Sequence, residues 1–342
     1  LPGGLKALTK AADEAGVKFG LWIEPEMVNP KSKLFEKHPD WVIMQPARKP
    51  YYYRNQLVLD LANPKVQDYV FGIIDKILTQ NPGVAYFKWD CNSPITNIYS
   101  PYLHQDQGNL YVDYVRGLYN VIHRVAAKYP DLPMMLCSGG GARCDYEALK
   151  YFTEFWCSDD TDPFERIYIQ WSMSKFFPVK AMASHVTEWN KNTSMKFRLD
   201  VASMCKLGFD INMASLSPED YALCQQAVAN YHRLEPVILD GDMFKLISPY
   251  ESNHAAVNYV TKDKKSAVVF AYDLHPRFKE PVLNVKLQGL NPTLTYTVKE
   301  INLAKGQEGL SGSFTGDYLM KIGLPLLSAV DGSSRVLELT AM

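Results

Sequence analysis

Short apolar segments alternate with amphipathic segments of helical period from Leu5 to about Leu239. Uninterrupted apolar runs are typical of strands buried on both faces of a parallel sheet, and amphipathic runs are typical of the helices that cover such a sheet. The predicted strands are Val17–Ile23, Val84–Trp89, Pro133–Cys137, Phe152–Cys157, Val179–Ala183 and Phe209–Met213. The predicted helices are Leu5–Ala15, Pro64–Thr79, Tyr111–Lys128, Tyr146–Lys150, Phe164–Phe177, Met195–Leu207 and Pro218–Leu234.

This alternation predicts an α/β fold built from successive strand–helix units. Two helix starts are marked clearly, at Asn63-Pro64 and at Ser217-Pro218, where a capping side chain precedes a proline in the first turn. Six such units in a row are more regular than most open sheets. They favour a (β/α)8 TIM barrel that lacks its first two βα units. We assign residues 1–238 to this partial barrel.

The pattern changes after Pro236, where short alternating runs separated by Gly, Pro, Asn and Asp replace the helical period. Alternating runs of this kind predict antiparallel strands. They are found at Val268–Tyr272, Val282–Leu287, Leu294–Val298 and Val336–Leu339. Residues 239–342 are therefore predicted to form a C-terminal antiparallel β-sandwich domain.

The composition is that of an ordinary globular protein, with 47% hydrophobic and 21% charged residues. The formal net charge is −1, and no basic run concentrates positive charge. A nucleic acid or an anionic membrane surface would require such a positive field, so neither is an expected partner. No apolar run approaches the length of about 20 residues that a membrane-spanning helix needs. The sequence stays compatible with a homo-oligomer.

The cysteine pattern argues against a disulfide framework and against a zinc site. The six cysteines are scattered, with no Cys-x-x-Cys pair and no histidines at zinc spacing. The run Gly139–Gly141 lacks the flanking residues of the phosphate-binding glycine motifs. Neither a metal nor a cofactor is expected. The chain begins at Leu1 without an initiator Met or a signal peptide, so we assign no localisation.

Polar and ionisable residues follow four predicted strands in succession. In a parallel barrel the carboxyl ends of the strands meet on one face, where functional groups collect. We therefore expect one face of the barrel to carry the side chains of Glu24, Asp90, Cys137 and Asp159. The segments concerned are Trp22–Glu26, Lys88–Asn92, Cys137–Gly141 and Cys157–Asp162.

Asp90 and Asp159 are candidates for a pair of acids with contrasting protonation. Alternation along the strand puts Lys88 and Asp90 on one face, and the lysine would favour the ionised carboxylate. Asp159 follows three apolar residues, a setting that would favour its protonated form. Two carboxyl groups in such contrasting settings are the arrangement used in glycoside hydrolysis. The alternative is that each aspartate only caps the helix that follows its strand.

At these positions the chain resembles glycoside hydrolase family 36, whose best-known members are α-galactosidases. The resemblance covers nearly the full length and is carried by GVKFGLWIEPEMVNP, HPDW, YRNQLVLDLANP, YFKWDCN, CSGGGARCD and FWCSDDTDP. The strings K-W-D-x-N, C-S-G-G-G-x-R and S-D-x-x-D in this order are highly specific. The resemblance implies a retaining exo-glycosidase that releases terminal α-linked galactose from oligosaccharides by a two-carboxylate double displacement.

The same resemblance implies a role for each matching residue. Asp90 would be the nucleophile and Asp159 the general acid/base. Lys88 and Arg54 would hold sugar hydroxyls, and Trp41 would wall the pocket. The full set of implied substrate contacts is Trp41, Arg54, Lys88, Asn92, Cys137, Gly139, Trp156 and Asp162.

Three departures from the family pattern bear on these roles. Asp160 stands where the family usually has a neutral residue, so Asp160 and Asp162 stay as alternatives for the acid. Ser93 stands where an arginine is usual, which removes an expected contact to the leaving group. The paired aspartates that hold the 4- and 6-hydroxyls of the sugar in the family belong to a strand that this chain does not contain.

Two other functions remain open at this point. One is an α-N-acetylgalactosaminidase on the same scaffold, which would need room for the 2-acetamido group beside Cys137 and Gly139. The other is a non-catalytic sugar-binding fragment, because the barrel is incomplete.

Overall fold

The computed structural model describes residues 2–281, 284–304, 306–328 and 330–342. The chain divides into two units, residues 1–156 and residues 157–342. The first unit contains a parallel sheet with helices. The second contains a pair of parallel strands, helices and an antiparallel sheet.

A parallel sheet forms the framework of the first unit. The strands of this unit are β1 (Phe19–Ile23), β2 (Met27–Val28), β3 (Leu57–Val58), β4 (Val84–Trp89), β5 (Met134–Leu136) and β6 (Glu154–Trp156). Its helices are α1 (Gly4–Glu14), α2 (Lys33–Lys37), α3 (Pro64–Gln80) and α4 (Leu110–Lys128). Strands β1, β4, β5 and β6 are parallel neighbours in that order, and β2 pairs with β3.

Helix α3 follows directly from its sequence. Asn63 caps the helix by accepting a hydrogen bond from the backbone N–H of Lys65. Pro64 occupies the first position, where the missing N–H costs nothing. Spacing at every fourth residue places one apolar stripe against the core. The buried residues of that stripe are Val66, Val70, Ile74 and Leu78.

Most predicted elements of the first unit are confirmed. The strand Val84–Trp89 is observed with the predicted bounds. The helices at Pro64–Thr79 and Tyr111–Lys128 differ by one residue at one end, and the helix at Leu5–Ala15 is shifted by one residue at both ends. The predicted helix Tyr146–Lys150 is wrong, because only a 3-10 turn forms there, at Ala148–Lys150. Asp145 Oδ1 accepts from the backbone N–H of Ala148 at 2.8 Å, and the segment makes only this single turn before the chain extends toward β6.

The second unit combines helices with two kinds of strand pairing. Its strands are β7 (Met182–Thr187), β8 (Lys206–Asp210), β9 (Asp242–Ile247), β10 (His254–Val260), β11 (Ser266–Asp273), β12 (Thr295–Ile301), β13 (Ser311–Thr315) and β14 (Ser333–Ala341). Its helices are α5 (Pro163–Met173), α6 (Met195–Ala202), α7 (Pro218–Asp240) and α8 (Gly316–Lys321). Strands β7 and β8 pair in parallel. No helix within the described ranges is long and apolar enough to cross a membrane.

Two predicted strands of this unit are displaced along the chain. The segment predicted as strand Val179–Ala183 begins as a 3-10 turn, and β7 follows it. Strand β8 lies earlier than the predicted Phe209–Met213, because α6 ends at Ala202 rather than continuing to Leu207. Helix α6 is buried on nearly all sides, so its apolar residues carry no helical period that could mark its end.

The antiparallel strands form one six-stranded sheet in the order β13-β12-β14-β11-β10-β9, within the residues that the structure describes. The expected sandwich of two facing sheets is therefore wrong. One face packs on α7 through Tyr231, Leu234 and Ile238. The other face is covered by α8 and by an irregular segment that includes Val285 and Leu290. With both faces covered in this way, the sheet needs no second sheet.

The sequence identified only some of these antiparallel strands. The predicted Val268–Tyr272 and Val336–Leu339 lie within β11 and β14, and Leu294–Val298 overlaps β12. The predicted strand Val282–Leu287 begins with two residues that lie outside the described ones. Its remainder makes a single β-bridge, between Val285 and Leu324. Strands β9, β10 and β13 were not predicted.

Candidate active site

Asp90 directly follows β4 and is held at the carboxyl end of the parallel sheet. Its backbone N–H donates to the carbonyl oxygen of Ile23, the last residue of β1, at 2.9 Å. Its side chain is buried, with 5% of the residue exposed. Phe87 and Trp89 are fully buried while Lys88 is only half-buried, as the predicted alternation requires.

The Asp90 carboxylate is surrounded by hydrogen-bond donors. Trp22 Nε1 donates to Oδ2 at 3.0 Å, and the backbone N–H of Cys91 donates to Oδ1 at 2.9 Å. The side chains of Asn92 and Cys137 donate as well. Burial raises the pKa of Asp90, but these four donors outweigh burial and hold the pKa below its ordinary value. The carboxylate is therefore ionised at neutral pH.

Lys88 is not the source of that ionisation, contrary to the expectation from sequence. Its ammonium group lies over the ring of Trp156, 4.7 Å from the centroid. This is a cation–π contact between β4 and β6, and it places both residues in the neighbourhood of the strand ends. Lys88 and Trp156 are thus brought together as neighbours, with the aromatic face orienting the cation.

Asn92 connects Asp90 to Glu24 and to the loop after β5. Its Nδ2 donates to Glu24 Oε1 at 2.6 Å, and its Oδ1 accepts from the backbone N–H of Gly139 at 2.9 Å. Gly139 has a φ of 56°, a left-handed conformation that favours glycine. Arg54 reaches the same Glu24 carboxylate at 3.4 Å. Arg54, Asn92 and Gly139 therefore belong to one network with Asp90.

Cys137 is buried beside Asp90. Its backbone N–H donates to the carbonyl oxygen of Trp89 at 2.8 Å, which fixes its position across β4 and β5. Burial raises the pKa of its thiol to about 12, so the group is a neutral S–H donor to the Asp90 carboxylate.

A buried ion pair that contacts Trp89, the residue before Asp90, holds β4 in place. Glu26 is fully buried and accepts from Trp89 Nε1 at 2.8 Å and from the hydroxyl of Tyr114, on α4, at 2.5 Å. Arg143 donates to both Glu26 oxygens at 2.8 and 3.0 Å. Removing one partner of a buried pair costs about 3–5 kcal/mol, so this cluster resists any shift of the strand that ends at Asp90.

Trp22 is the tryptophan that bonds Asp90, and Trp41, predicted to wall the pocket, makes other contacts. Trp41 lies in a 3-10 turn, where it stacks on His38 with centroids 3.9 Å apart and packs against Tyr69 of α3. Trp22 is 49% exposed although it bonds a buried carboxylate. The only sequence signal for Trp22 is its place two residues before Glu24 at the end of β1.

In the second unit, Asp159 lies in a loop between Trp156 and α5 that is held by its neighbours. Asp162 caps α5 by accepting from the backbone N–H of Phe164 at 2.9 Å, and its other oxygen accepts from Asn190 Nδ2 at 2.7 Å. Asp160 Oδ1 accepts from the backbone N–H of Asp162 at 3.0 Å. Asp162 is therefore the helix cap in this segment, and Asp160 stabilises the loop before it.

Asp159 itself is exposed, so the expected apolar setting is wrong. Trp156 and Cys157 are buried, but the chain turns outward after Ser158. Arg166 holds that turn from within, donating to the carbonyl oxygen of Ser158 at 3.2 Å and to that of Ala183 at 2.7 Å. The loop therefore presents Asp159 outward on a rigid base.

Two family profiles match the chain. The melibiase family profile matches residues 1–241, and the profile of the glycosyl hydrolase family 36 C-terminal domain matches residues 254–339. The chain belongs to the melibiases of glycoside hydrolase family 36. It is thus a family member with a parallel α/β region followed by the family's antiparallel C-terminal region.

Individual relatives are α-galactosidases. The chain is 36% identical to α-galactosidase 1 of Pediococcus pentosaceus over 328 residues, which are 94% of this chain and 43% of that protein. The crystal structure of the family 36 α-galactosidase AgaB from Geobacillus stearothermophilus superposes with a TM-score of 0.93 at 34% identity, covering 100% of this chain and 47% of that one.

A variant of the α-galactosidase AgaA from the same organism, solved with raffinose, has the same TM-score, identity and coverage, and another was solved with stachyose. The chain thus spans less than half the length of these relatives.

Proposed function

We propose that the protein containing this chain is a retaining exo-α-galactosidase that removes terminal α-linked galactose from oligosaccharides. The observation that carries the proposal is the Asp90 carboxylate, which is buried yet ionised at the carboxyl end of a parallel strand. A carboxylate in this state is a nucleophile prepared for attack, because its hydrogen bonds hold the charge without neutralising it. Family membership adds the substrate class, since the relatives are α-galactosidases.

In the first step, an Asp90 oxygen attacks the anomeric carbon of galactose from its β face. The new C–O bond forms as the bond to the leaving-group oxygen breaks, and Asp159 gives that oxygen a proton. The product is a β-linked galactosyl ester of Asp90. We propose that Lys88 and Arg54 donate to sugar hydroxyls. The Trp22 ring, 49% exposed and bonded to the nucleophile, offers an apolar face to the sugar.

In the second step, the ionised Asp159 takes a proton from water. The hydroxide so generated attacks the anomeric carbon from the α face, and the Asp90 carboxylate leaves. Galactose is released in the α configuration that it had in the substrate. The exposed position of Asp159 suits this step, because water reaches it freely.

We further propose that residues 1–238 belong to a (β/α)8 barrel whose first two βα units precede this chain, and that residues 239–342 form a separate C-terminal domain. The strand–helix alternation of the first unit supports the barrel. The family matches support the boundary, since the first ends at residue 241 and the second begins at residue 254. Raffinose and stachyose, bound by the relative AgaA, indicate the kind of oligosaccharide substrate.

The α-N-acetylgalactosaminidase alternative is less well supported. A 2-acetamido group would need space beside Cys137, but this residue is 1% exposed and its thiol bonds Asp90. The non-catalytic alternative leaves the ionised, buried Asp90 without a purpose, since burying a charge costs free energy.

Hydrolysis assays on the full-length protein test the proposed function. We expect p-nitrophenyl α-galactoside to be cleaved at least about tenfold faster than the α-N-acetylgalactosaminide, because an acetamido group would clash near Cys137. Proton NMR of the early product should show α-galactose before mutarotation. Faster cleavage of the acetamido sugar, or β-galactose as the first product, would contradict the proposal. The Asp90→Asn variant supplies the background rate.

Trp22→Phe should shift the acid limb of the pH profile of kcat/KM to higher pH. Asp90 must be ionised to attack, and Trp22 is one of the donors that lower its pKa. A hydrogen bond to a charged group contributes about 1.5–3 kcal/mol. At pH values on the acid limb, where Asp90 becomes protonated, kcat/KM of the variant should therefore be about tenfold or more lower than that of the wild type. Tyr250→Phe, which loses a hydrogen bond to Ser172 in the second unit, is the control and should keep the wild-type profile. An unmoved limb in Trp22→Phe would exclude this role.

A further inference from the structure

Three consecutive tyrosines are exposed in the loop before Arg54. Tyr51 is 62% exposed, Tyr52 is 38% exposed and Tyr53 is 42% exposed. Isolated exposed aromatic residues are common on protein surfaces, but a group of neighbouring ones marks a binding surface far more often. None of the catalytic steps described above uses these side chains.

The loop that carries the tyrosines is held rigidly at both ends. Asn97, in the loop after β4, accepts from the backbone N–H of Tyr51 at 2.8 Å and donates to its carbonyl oxygen at 2.9 Å. At the other end, the backbone N–H of Gln56 donates to the carbonyl oxygen of Tyr53 at 2.9 Å and closes a tight turn. A ligand that binds here meets side chains on a fixed backbone, so little conformational entropy is lost.

The turn after the tyrosines is strained in a way that ties it to the active site. Arg54 and Asn55 both adopt left-handed conformations, with φ of 51° and 58°. Asparagine tolerates this region, but an arginine there costs free energy that other contacts must offset. Those contacts are made to Glu24, which accepts from Arg54 at 3.4 Å and from Gln56 Nε2 at 3.1 Å.

A chain of direct contacts connects this loop to the nucleophile. Arg54, next to Tyr53, bonds Glu24; Asn92 bonds the same Glu24 carboxylate at 2.6 Å and also donates to Asp90. Glu24 follows β1 and Asn92 follows β4, so the tyrosines are anchored at the carboxyl ends of the parallel strands, on the side where Asp90 lies.

We infer that Tyr51, Tyr52 and Tyr53 form an aromatic platform that binds the sugar units of an oligosaccharide beyond the terminal galactose. The inference rests on the proposed function and names where the rest of the substrate lies. The C–H faces of pyranose rings stack on aromatic rings, and tyrosine adds a hydroxyl that can bond sugar hydroxyls. Tyrosine is suited to such a surface because it offers a large amphipathic face with few rotatable bonds.

The test compares long and short substrates in the full-length protein. Tyr51→Ala, Tyr52→Ala, Tyr53→Ala and the triple variant are assayed on a tetrasaccharide α-galactoside and on p-nitrophenyl α-galactoside, which lacks the distal sugars. One stacking contact contributes about 0.5–1.5 kcal/mol, so single variants should raise KM for the tetrasaccharide by about twofold to tenfold at unchanged kcat. The short substrate should be cleaved at the wild-type rate. Tyr221→Ala, an exposed tyrosine on α7, is the control.

Several results would overturn the platform. One is an equal loss on both substrates, which would mean that the loop only supports Glu24. Another is an unchanged KM for the tetrasaccharide in the triple variant. A third is a changed oligomeric state in light scattering with unchanged kinetics, which would assign the tyrosines to a subunit contact.

The platform and the proposed function can fail separately. If the wild-type protein hydrolyses galactosides and the triple variant matches it on both substrates, only the platform fails. If the wild-type protein hydrolyses nothing, calorimetry with the tetrasaccharide decides. Binding that the triple variant weakens supports the platform without hydrolysis, and no binding to the wild-type protein overturns both.

Discussion

Replacing Asp90 with alanine in the full-length protein should lower kcat/KM for every α-galactoside by about 10⁴-fold or more, the scale on which enzymes lose activity with their nucleophile. The loss should be independent of the leaving group, because both steps of the reaction need the Asp90 carboxylate. Asp90→Asn should lose as much activity, since an amide is a poor nucleophile. The measurement is steady-state kinetics on an aryl galactoside and on an oligosaccharide.

The thermal stability of the Asp90 variants distinguishes a catalytic role of Asp90 from a structural one. Asp90 is a buried charge held by four donors, and because these donors lower its pKa, its ionised form stabilises the folded protein at neutral pH. We therefore expect Asp90→Asn to lower the midpoint of thermal unfolding moderately while its activity is lost almost completely. Asp131→Ala, at an exposed position before β5, is the control for activity. A variant that keeps its activity but melts at lower temperature would show that Asp90 is structural.

Replacing Asp159 with alanine should damage the enzyme in a way that depends on the leaving group. General acid catalysis contributes about 10²–10⁴-fold, so kcat/KM for an oligosaccharide should fall by about that factor. An activated aryl galactoside needs little protonation to depart, so its first step should be nearly unaffected. The measurement is the ratio of kcat/KM values for the two substrates in wild type and variant.

The neighbouring aspartates are matched controls for this prediction. Asp162→Ala should destabilise the protein by about 0.5–2 kcal/mol, because Asp162 caps α5, and should leave the substrate ratio unchanged. Asp160→Ala loses a bond to the backbone N–H of Asp162 and should behave similarly. If the dependence on the leaving group appears in Asp160→Ala or Asp162→Ala instead, the acid has been assigned to the wrong residue.

The sequence predicted those parts of the fold whose signals are local. Helices α3 and α4 carry long apolar stripes, and the cap at Asn63-Pro64 marks a start. Strand β10 carries no such pattern, since it is buried throughout although it includes His254 and Asn258. Their partners are brought to them only by folding: His254 Nδ1 bonds Asp273, and Asn258 donates to the carbonyl oxygen of Gln288. A pattern of apolar positions could not reveal such a strand.

The candidate site, like the fold, could be predicted from the sequence only in part. The motifs drew attention to Asp90 and Asp159, because polar groups follow apolar strands there. The reason for the ionisation of Asp90 was not predictable, because Trp22 lies 68 residues away in sequence and reaches the carboxylate only through the pairing of β1 with β4. The exposure of Asp159 was also missed, since it depends on a turn braced by Arg166 from within the fold.

The configuration of the galactosyl azide formed by the two alanine variants tests the central claim most directly. In Asp159→Ala, Asp90 still forms the β-linked galactosyl ester, and azide should attack it from the α face without a general base. In Asp90→Ala, azide can take the place of the missing carboxylate and should attack the substrate from the β face. Proton NMR of the isolated azides should therefore give the α anomer from Asp159→Ala and the β anomer from Asp90→Ala. The reverse assignment, or the same anomer from both variants, would contradict the account.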